Sequence, residues 1–110
     1  MTTDEITIFV NTVRPVFIPN AFSPNGDGRN DFTAVFAGPA ATIVNSMQIF
    51  DRWGTLMWEG TNLPLNDFNV GWDGTFRGED VNQGIFVYQA SIGFIDGVNL
   101  LFKGDITLLR

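Results

Sequence analysis

Apolar and polar residues alternate with a period of two over several stretches of this chain, and no stretch repeats with the ~3.6-residue period of a helix. The clearest alternation spans residues 85–95. There Phe86, Tyr88, Ala90, Ile92 and Phe94 fall on one face of a strand. Residues 98–109 carry a matching stripe of Val98, Leu100, Phe102, Ile106 and Leu108, interrupted by Gly104. Asp96-Gly97 lies between the two runs and predicts a two-residue hairpin turn. A glycine inside a strand predicts a bulge or a close backbone approach at Gly104. Residues 43–50 and 55–59 predict a second hairpin around Arg52-Trp53-Gly54. Residues 6–13, 16–18 and 32–37 predict shorter strands. Pro15 separates the first two and marks an edge or a sheet crossover, because proline cannot donate to a ladder. Residues 19–31 and 60–71 read as loops. Gly71-Trp72-Asp73-Gly74 and Arg77-Gly78-Glu79-Asp80 read as turns flanking a very short strand. About seven or eight strands result, which suits an all-β sandwich of two antiparallel sheets. Residues 15–110 form one domain, and residues 1–14 read as the tail of an upstream region or as a first strand.

Composition supports this picture and excludes several functions. Eleven Phe and three Trp among 110 residues provide volume for one core, and twelve Gly and five Pro provide turns at short intervals. The formal net charge is −6, with only six basic residues. A nucleic-acid backbone or an anionic membrane surface would repel such a chain. No apolar run approaches the ~18 residues of a membrane span, so the domain is not itself expected to insert in a membrane. The opening Met1-Thr2-Thr3-Asp4-Glu5 lacks the basic region of a signal peptide, and the natural N-terminus is expected further upstream. There is no Cys and no His. Disulfides, thiolate metal sites, the commonest general base and the best nucleophile are therefore all missing. An enzyme is not expected, although paired carboxylates can hydrolyse glycosides.

The richest loop is Ser23-Pro24-Asn25-Gly26-Asp27-Gly28-Arg29-Asn30-Asp31. Side-chain oxygens at Ser23, Asn25, Asp27 and Asp31, a glycine after the third, and the Arg29 carbonyl match the front of an EF-hand-type calcium loop. Alternate spacing lets a tight turn aim successive oxygens at one centre. The match fails where a bidentate acid is due, because Ala34 stands there. Asp51 or Asp73 would then have to complete the shell. The competing reading is a metal-free loop closed by Asx-turns. Trp53, Trp58 and Trp72 could form a sugar-stacking platform, but tryptophan in a small sandwich more often fills the core with its N–H bonded to backbone. Asp73 reads as a turn residue, and Arg52 as a surface partner of Asp51 or Asp73.

Five blocks in order go beyond generic chemistry. Phe17-Ile18-Pro19-Asn20-Ala21-Phe22-Ser23-Pro24-Asn25-Gly26-Asp27-Gly28-Arg29-Asn30-Asp31 strongly resembles the opening of the gliding-motility-associated C-terminal domains. These are the type B sorting domains of the Bacteroidota type IX secretion system. Ile49-Phe50-Asp51-Arg52-Trp53-Gly54, Gly71-Trp72-Asp73-Gly74-Thr75, Gly84-Ile85-Phe86-Val87-Tyr88 and Gly104-Asp105-Ile106-Thr107-Leu108-Leu109-Arg110 resemble the later blocks. The resemblance covers residues 15–110. Phe replaces a usual Tyr at Phe50 and Phe86, and Gln83 stands where Ser is frequent. The resemblance implies an immunoglobulin-like sandwich and export of an attached passenger across the outer membrane to the cell surface or medium. It also implies the type IX translocon and outer-membrane barrels of the PorP/SprF family as partners. Gly104, Asp105, Ile106, Thr107, Leu108, Leu109 and Arg110 are the residues expected to be read there. Arg110 is expected at an exposed tip, where Arg110→Glu would change stability by about 0.5 kcal/mol or less. A monomer is expected. The rival reading is a calcium-dependent adhesive or carbohydrate-binding sandwich, which could sit anywhere in a protein, whereas an address fits a chain that stops after its last strand.

Overall fold

The computed structural model of the protein describes residues 15–26 and 31–110. The strand expected at residues 6–13 and the candidate ligands Asp27 and Arg29 lie outside the described residues. Nine strands and no helix occur among those described: β1 Val16–Phe17, β2 Ala21–Phe22, β3 Phe36–Ala37, β4 Ala41–Phe50, β5 Leu56–Leu63, β6 Thr75–Phe76, β7 Glu79–Asp80, β8 Gly84–Phe94 and β9 Asn99–Leu108. The all-β class expected from the sequence holds. A five-stranded sheet has the order β2-β9-β8-β4-β5, while β1 pairs with β3 and β6 with β7.

The β8–β9 hairpin forms as predicted, antiparallel from Asn99↔Gly93 to Leu108↔Gly84. Its turn differs from expectation. Gly97 N–H donates to Phe94 O and Phe94 N–H donates to Val98 O, so the loop has three residues, with Gly97 at φ 85°. A type I turn followed by a left-handed glycine reverses the chain with the strand twist preserved. The β4–β5 hairpin repeats the device. Gly54 N–H donates to Asp51 O at 3.1 Å and Gly54 has φ 86°. The two-residue turn appears instead between β6 and β7, where Arg77 and Gly78 both have positive φ.

Pairing between β2 and β9 is parallel, with Thr107 opposite Ala21 and Leu108 opposite Phe22. The main sheet is thus mixed rather than wholly antiparallel. The chain pairs with β3 through β1, then crosses at Pro19 to pair with β9 through β2. The join at Pro15 between residues 6–13 and 16–18 lies partly outside the described residues.

One face of the large sheet carries the core. Phe86, Ala90, Ile92 and Phe94 of β8, Ile106 and Leu108 of β9, and Val44, Met47 and Ile49 of β4 are buried with Phe22, Val35 and Trp72. The step from Val44 to Met47 breaks strict alternation because the β4 register shifts between Val44 and Ser46. The apolar stripe on β9 fades toward the hairpin, where Leu100 is 37% exposed. Its expected place in the core is corrected: its partner Ile92 on β8 is fully buried, but Leu100 stands on the outer strand, along a stretch that β2 does not pair. Residues 32–37 contribute only Phe36–Ala37 as strand, yet Thr33, Ala34 and Val35 are buried. They act as a packed crossing segment.

The registers fix two poles. The pairs Leu108↔Gly84, Phe50↔Val87 and Phe50↔Leu56 put the β4–β5 turn, the start of β8 and the end of β9 at one pole. The other pole holds the chain's entry: Gly38 N–H donates to Pro15 O and Ile95 N–H donates to Ala40 O.

Candidate functional site

Apart from Phe17 and Ile18, which lie beside Pro15, the residue blocks singled out in the sequence gather toward the opposite pole. In the β4–β5 turn, Asp51 Oδ1 accepts from Trp53 N–H at 2.9 Å and from Thr55 N–H at 2.8 Å. The carboxylate thereby fixes a three-residue loop whose apex is Trp53. Trp53 is 81% exposed, and the Arg52 guanidinium carbon lies 5.6 Å from its ring centroid. Arg52 thus stacks on Trp53, and Asp51 is occupied with backbone. Beside the turn lies a cleft of about 550 Å³, with Met57, Ile85 and Phe86 among its lining residues and Asp51, Arg52 and Trp53 on one side.

The Gly71–Gly74 block does the opposite and builds the interior. Trp72 is 0% exposed. Its ring meets Phe22 at 5.5 Å and Phe86 edge-on at 5.0 Å. Its Nε1 donates to Thr75 O at 2.7 Å. Its backbone N–H donates to Thr33 Oγ1 at 2.8 Å, and Thr33 N–H donates to Trp72 O at 3.1 Å. Gly71 lies so close to Thr33 that a Cβ would stand 2.8 Å from the Thr33 carbonyl. Asp73 Oδ1 accepts from Thr75 N–H and Oγ1, the turn role expected of it. With Trp72 buried and Trp58 folded over Gly60, the three tryptophans do not make a shared platform.

The Ser23–Asp31 loop adjoins this block. Asp31 Oδ1 accepts from Asn25 N–H and Gly26 N–H, both at 3.0 Å, and Ser23 O accepts from Asn25 N–H. Asp31 and Asp73 line a second cleft of about 300 Å³ with Pro24 and Asp80. Asp51 lines the first cleft instead. Among the described residues no three acids stand close enough to hold a metal ion, and the contribution of Asp27 and Arg29 lies outside them.

The final block divides into parts. Ile106 and Leu108 are in the core. Thr107 N–H and Leu109 N–H donate to Asn20 O and Phe22 O. Asp105 and Leu109 are exposed. Arg110 is no free tip: its side chain is 26% exposed. Nη2 donates to Gly74 O at 2.7 Å and Nε to Val81 O at 2.9 Å, and Nη2 lies 3.9 Å from Asp80. The guanidinium clamps the last residue onto the β6–β7 hairpin. Nothing in the sequence pairs Arg110 with residues about thirty positions away.

Gly104 causes no bulge, because the β8–β9 register runs through it unbroken. It is a close approach instead. A Cβ there would stand 2.7 Å from Tyr88 Oη and 2.9 Å from the ring. Burial, and then the negative charge of Asp105, raise the Tyr88 phenol above its ordinary value of 10.0. Above pH 10.0 the unfolded chain ionises first. The stability this neutral phenol contributes is therefore complete below that pH and is lost as pH rises through the folded value. Tyr88 is the sole tyrosine, so phenolate absorbance reports it alone. The titration midpoint should lie above 10.0, and Asp105→Asn should move it partway back. A midpoint at or below 10.0 would contradict the partly buried placement beside Asp105.

A family model described as a type IX secretion signal domain, CHU_C, matches residues 16–108. No curated protein matches the chain.

Proposed function

Because the chain belongs to the type IX secretion signal domain family, it is a C-terminal sorting signal that engages the secretion machinery, and we propose that this machinery reads it at the motif pole, with Trp53 as the anchor. Such a signal implies delivery of the attached protein to the bacterial surface or the extracellular space. The finer reading is that the host is a member of the Bacteroidota and that the reader includes an outer-membrane barrel of the PorP/SprF family.

The observation that carries this reading is the exposure of Trp53 on a turn locked by Asp51. A large aromatic held rigid loses little conformational freedom when it docks, and Trp and Arg dominate the centres of protein interfaces. The neighbouring cleft offers an apolar wall on which a partner can close. The test is export of a passenger fused to Trp53→Ala. The variant should melt within the range of an exposed substitution, about 0.5 kcal/mol. Its export should fall at least about tenfold, as expected from removing an anchor of roughly 2 kcal/mol. Export at the parent level would move the recognition surface elsewhere.

A further inference from the structure

Strand β9 is paired to β8 along its full length, but on its other side it meets β2 only at Thr107 and Leu108. Thr107 N–H and Leu109 N–H both donate across to the β2 segment. Alternate residues of a strand turn their N–H and C=O to the same side. The ladder from Asn99 to Leu108 has no register shift. Leu101, Lys103 and Asp105 therefore turn their backbone groups away from β8, to a side where no described strand lies. Their side chains are exposed, Leu101 at 56%. Proteins usually blunt such an edge with proline, a bulge or a covering segment. Residues 99–105 contain no proline and no bulge.

We infer that residues 99–105 receive an extended segment of a secretion-machinery protein as an added strand, with an acidic residue opposite Lys103 and a basic residue opposite Asp105. The inference rests on the sorting reading above and adds a second contact, on the side of the sheet away from the Trp53 turn. Backbone pairing supplies affinity in strand addition, and alternate side chains supply selectivity. The cation and anion on this edge give the selectivity a sign, since opposite charges across a ladder stabilise and like charges oppose. A second copy of the chain fits poorly. In antiparallel self-pairing, one register sets Lys103 directly against the copy's Asp105 in both directions. That register also sets the copy's Leu101 against Thr107, where β2 already lies. Centring the pair on Lys103 opposes two like charges, and centring it on Phe102 sets Lys103 against Leu101 and Asp105 against Asn99, so neither charge meets its opposite.

The test uses the whole chain fused to an exported fluorescent passenger, with Lys103→Pro as the variant. The Lys103 N–H faces away from β8, to the side where no described strand lies, so proline removes it without costing a bond to β8, the setting in which a strand tolerates proline. Parent and Lys103→Pro should both sediment as monomers, and Lys103→Pro should keep the parent's circular dichroism while export falls at least tenfold. Should the proline variant fail to fold, replacing Lys103 by its α-hydroxy acid turns the amide into an ester and removes the same N–H without a ring; the same loss of export is expected. Export of either folded variant at the parent rate would overturn the inference. So would a parent that sediments as a dimer which the variants dissociate, since the edge would then belong to a second copy. Failure of the parent chain itself to be exported would overturn the sorting reading, and this inference with it.

Discussion

Trp72→Ala should remove about 3–5 kcal/mol of stability, the range for deleting a fully buried large aromatic. The ring has no exposure and sits between Phe22 and Phe86. Alanine would leave a cavity bounded by two further aromatics, each held by its own strand, so the walls have little freedom to close. The Thr75 carbonyl would also lose the indole N–H that reaches it at 2.7 Å. Domains of this kind hold about 5–15 kcal/mol in total, so one substitution threatens the fold. In urea the midpoint should drop by about 2 M, given slopes of roughly 1–3 kcal/mol/M. A loss under about 1 kcal/mol would mean that the ring is not the centre of the motif pole. The backbone bonds between Thr33 and Trp72 survive the substitution, so the loss reports packing and the indole bond.

Arg110→Glu should cost about 2–3 kcal/mol, although it changes the last residue of the chain. Two hydrogen bonds from a cationic donor disappear, at Gly74 O and Val81 O, and bonds of this charged type contribute about 1.5–3 kcal/mol. The new carboxylate would face two carbonyl oxygens and Asp80. The Arg110–Asp80 pair itself adds little, because Asp80 is mostly exposed and the atoms are 3.9 Å apart. For a domain of this size 1 kcal/mol moves the melting temperature by about 4–8 °C. A fall of roughly 10 °C or more is expected in thermal unfolding. A shift under about 2 °C would mean that the guanidinium does not clamp the hairpin. Reduced export of this variant would then follow from loosened structure, whereas Trp53→Ala alters an exposed side chain and leaves the core untouched.

Long alternating runs and turn glycines made the large sheet legible. Residues 85–95 and 98–109 announced β8 and β9, and the segments flanking Arg52-Trp53-Gly54 announced β4 and β5. The family-like blocks are legible in the sequence, but what each block does in the fold is not. Trp53 and Trp72 look alike in sequence, flanked by glycine and a charged residue. One is the exposed apex of a turn and the other the centre of the core. The difference depends on Thr33, which binds Trp72 from 39 positions away. Local patterning carries no such information. The parallel β2–β9 pairing was hidden because a two-residue strand has no period. The loop of three residues at Asp96-Gly97 was missed because that dipeptide serves both turn lengths, and the choice rests on the closing bond from Phe94 to Val98. At Gly104 the sequence allows a bulge or a close approach; the ring of Tyr88 beside it decides for the second. Leu100 has the parity of the core face, yet it stands on the outer strand while its partner Ile92, one strand further in, is fully buried.

The most direct test of the sorting role is to fuse this chain to the C-terminus of a fluorescent protein that carries a periplasmic export signal. The fusion is then expressed in matched bacterial strains with and without a working type IX secretion system. Fluorescence should reach the cell surface or the medium in the first strain and stay in the periplasm in the second. Retention in both strains, or release in both, would contradict the account.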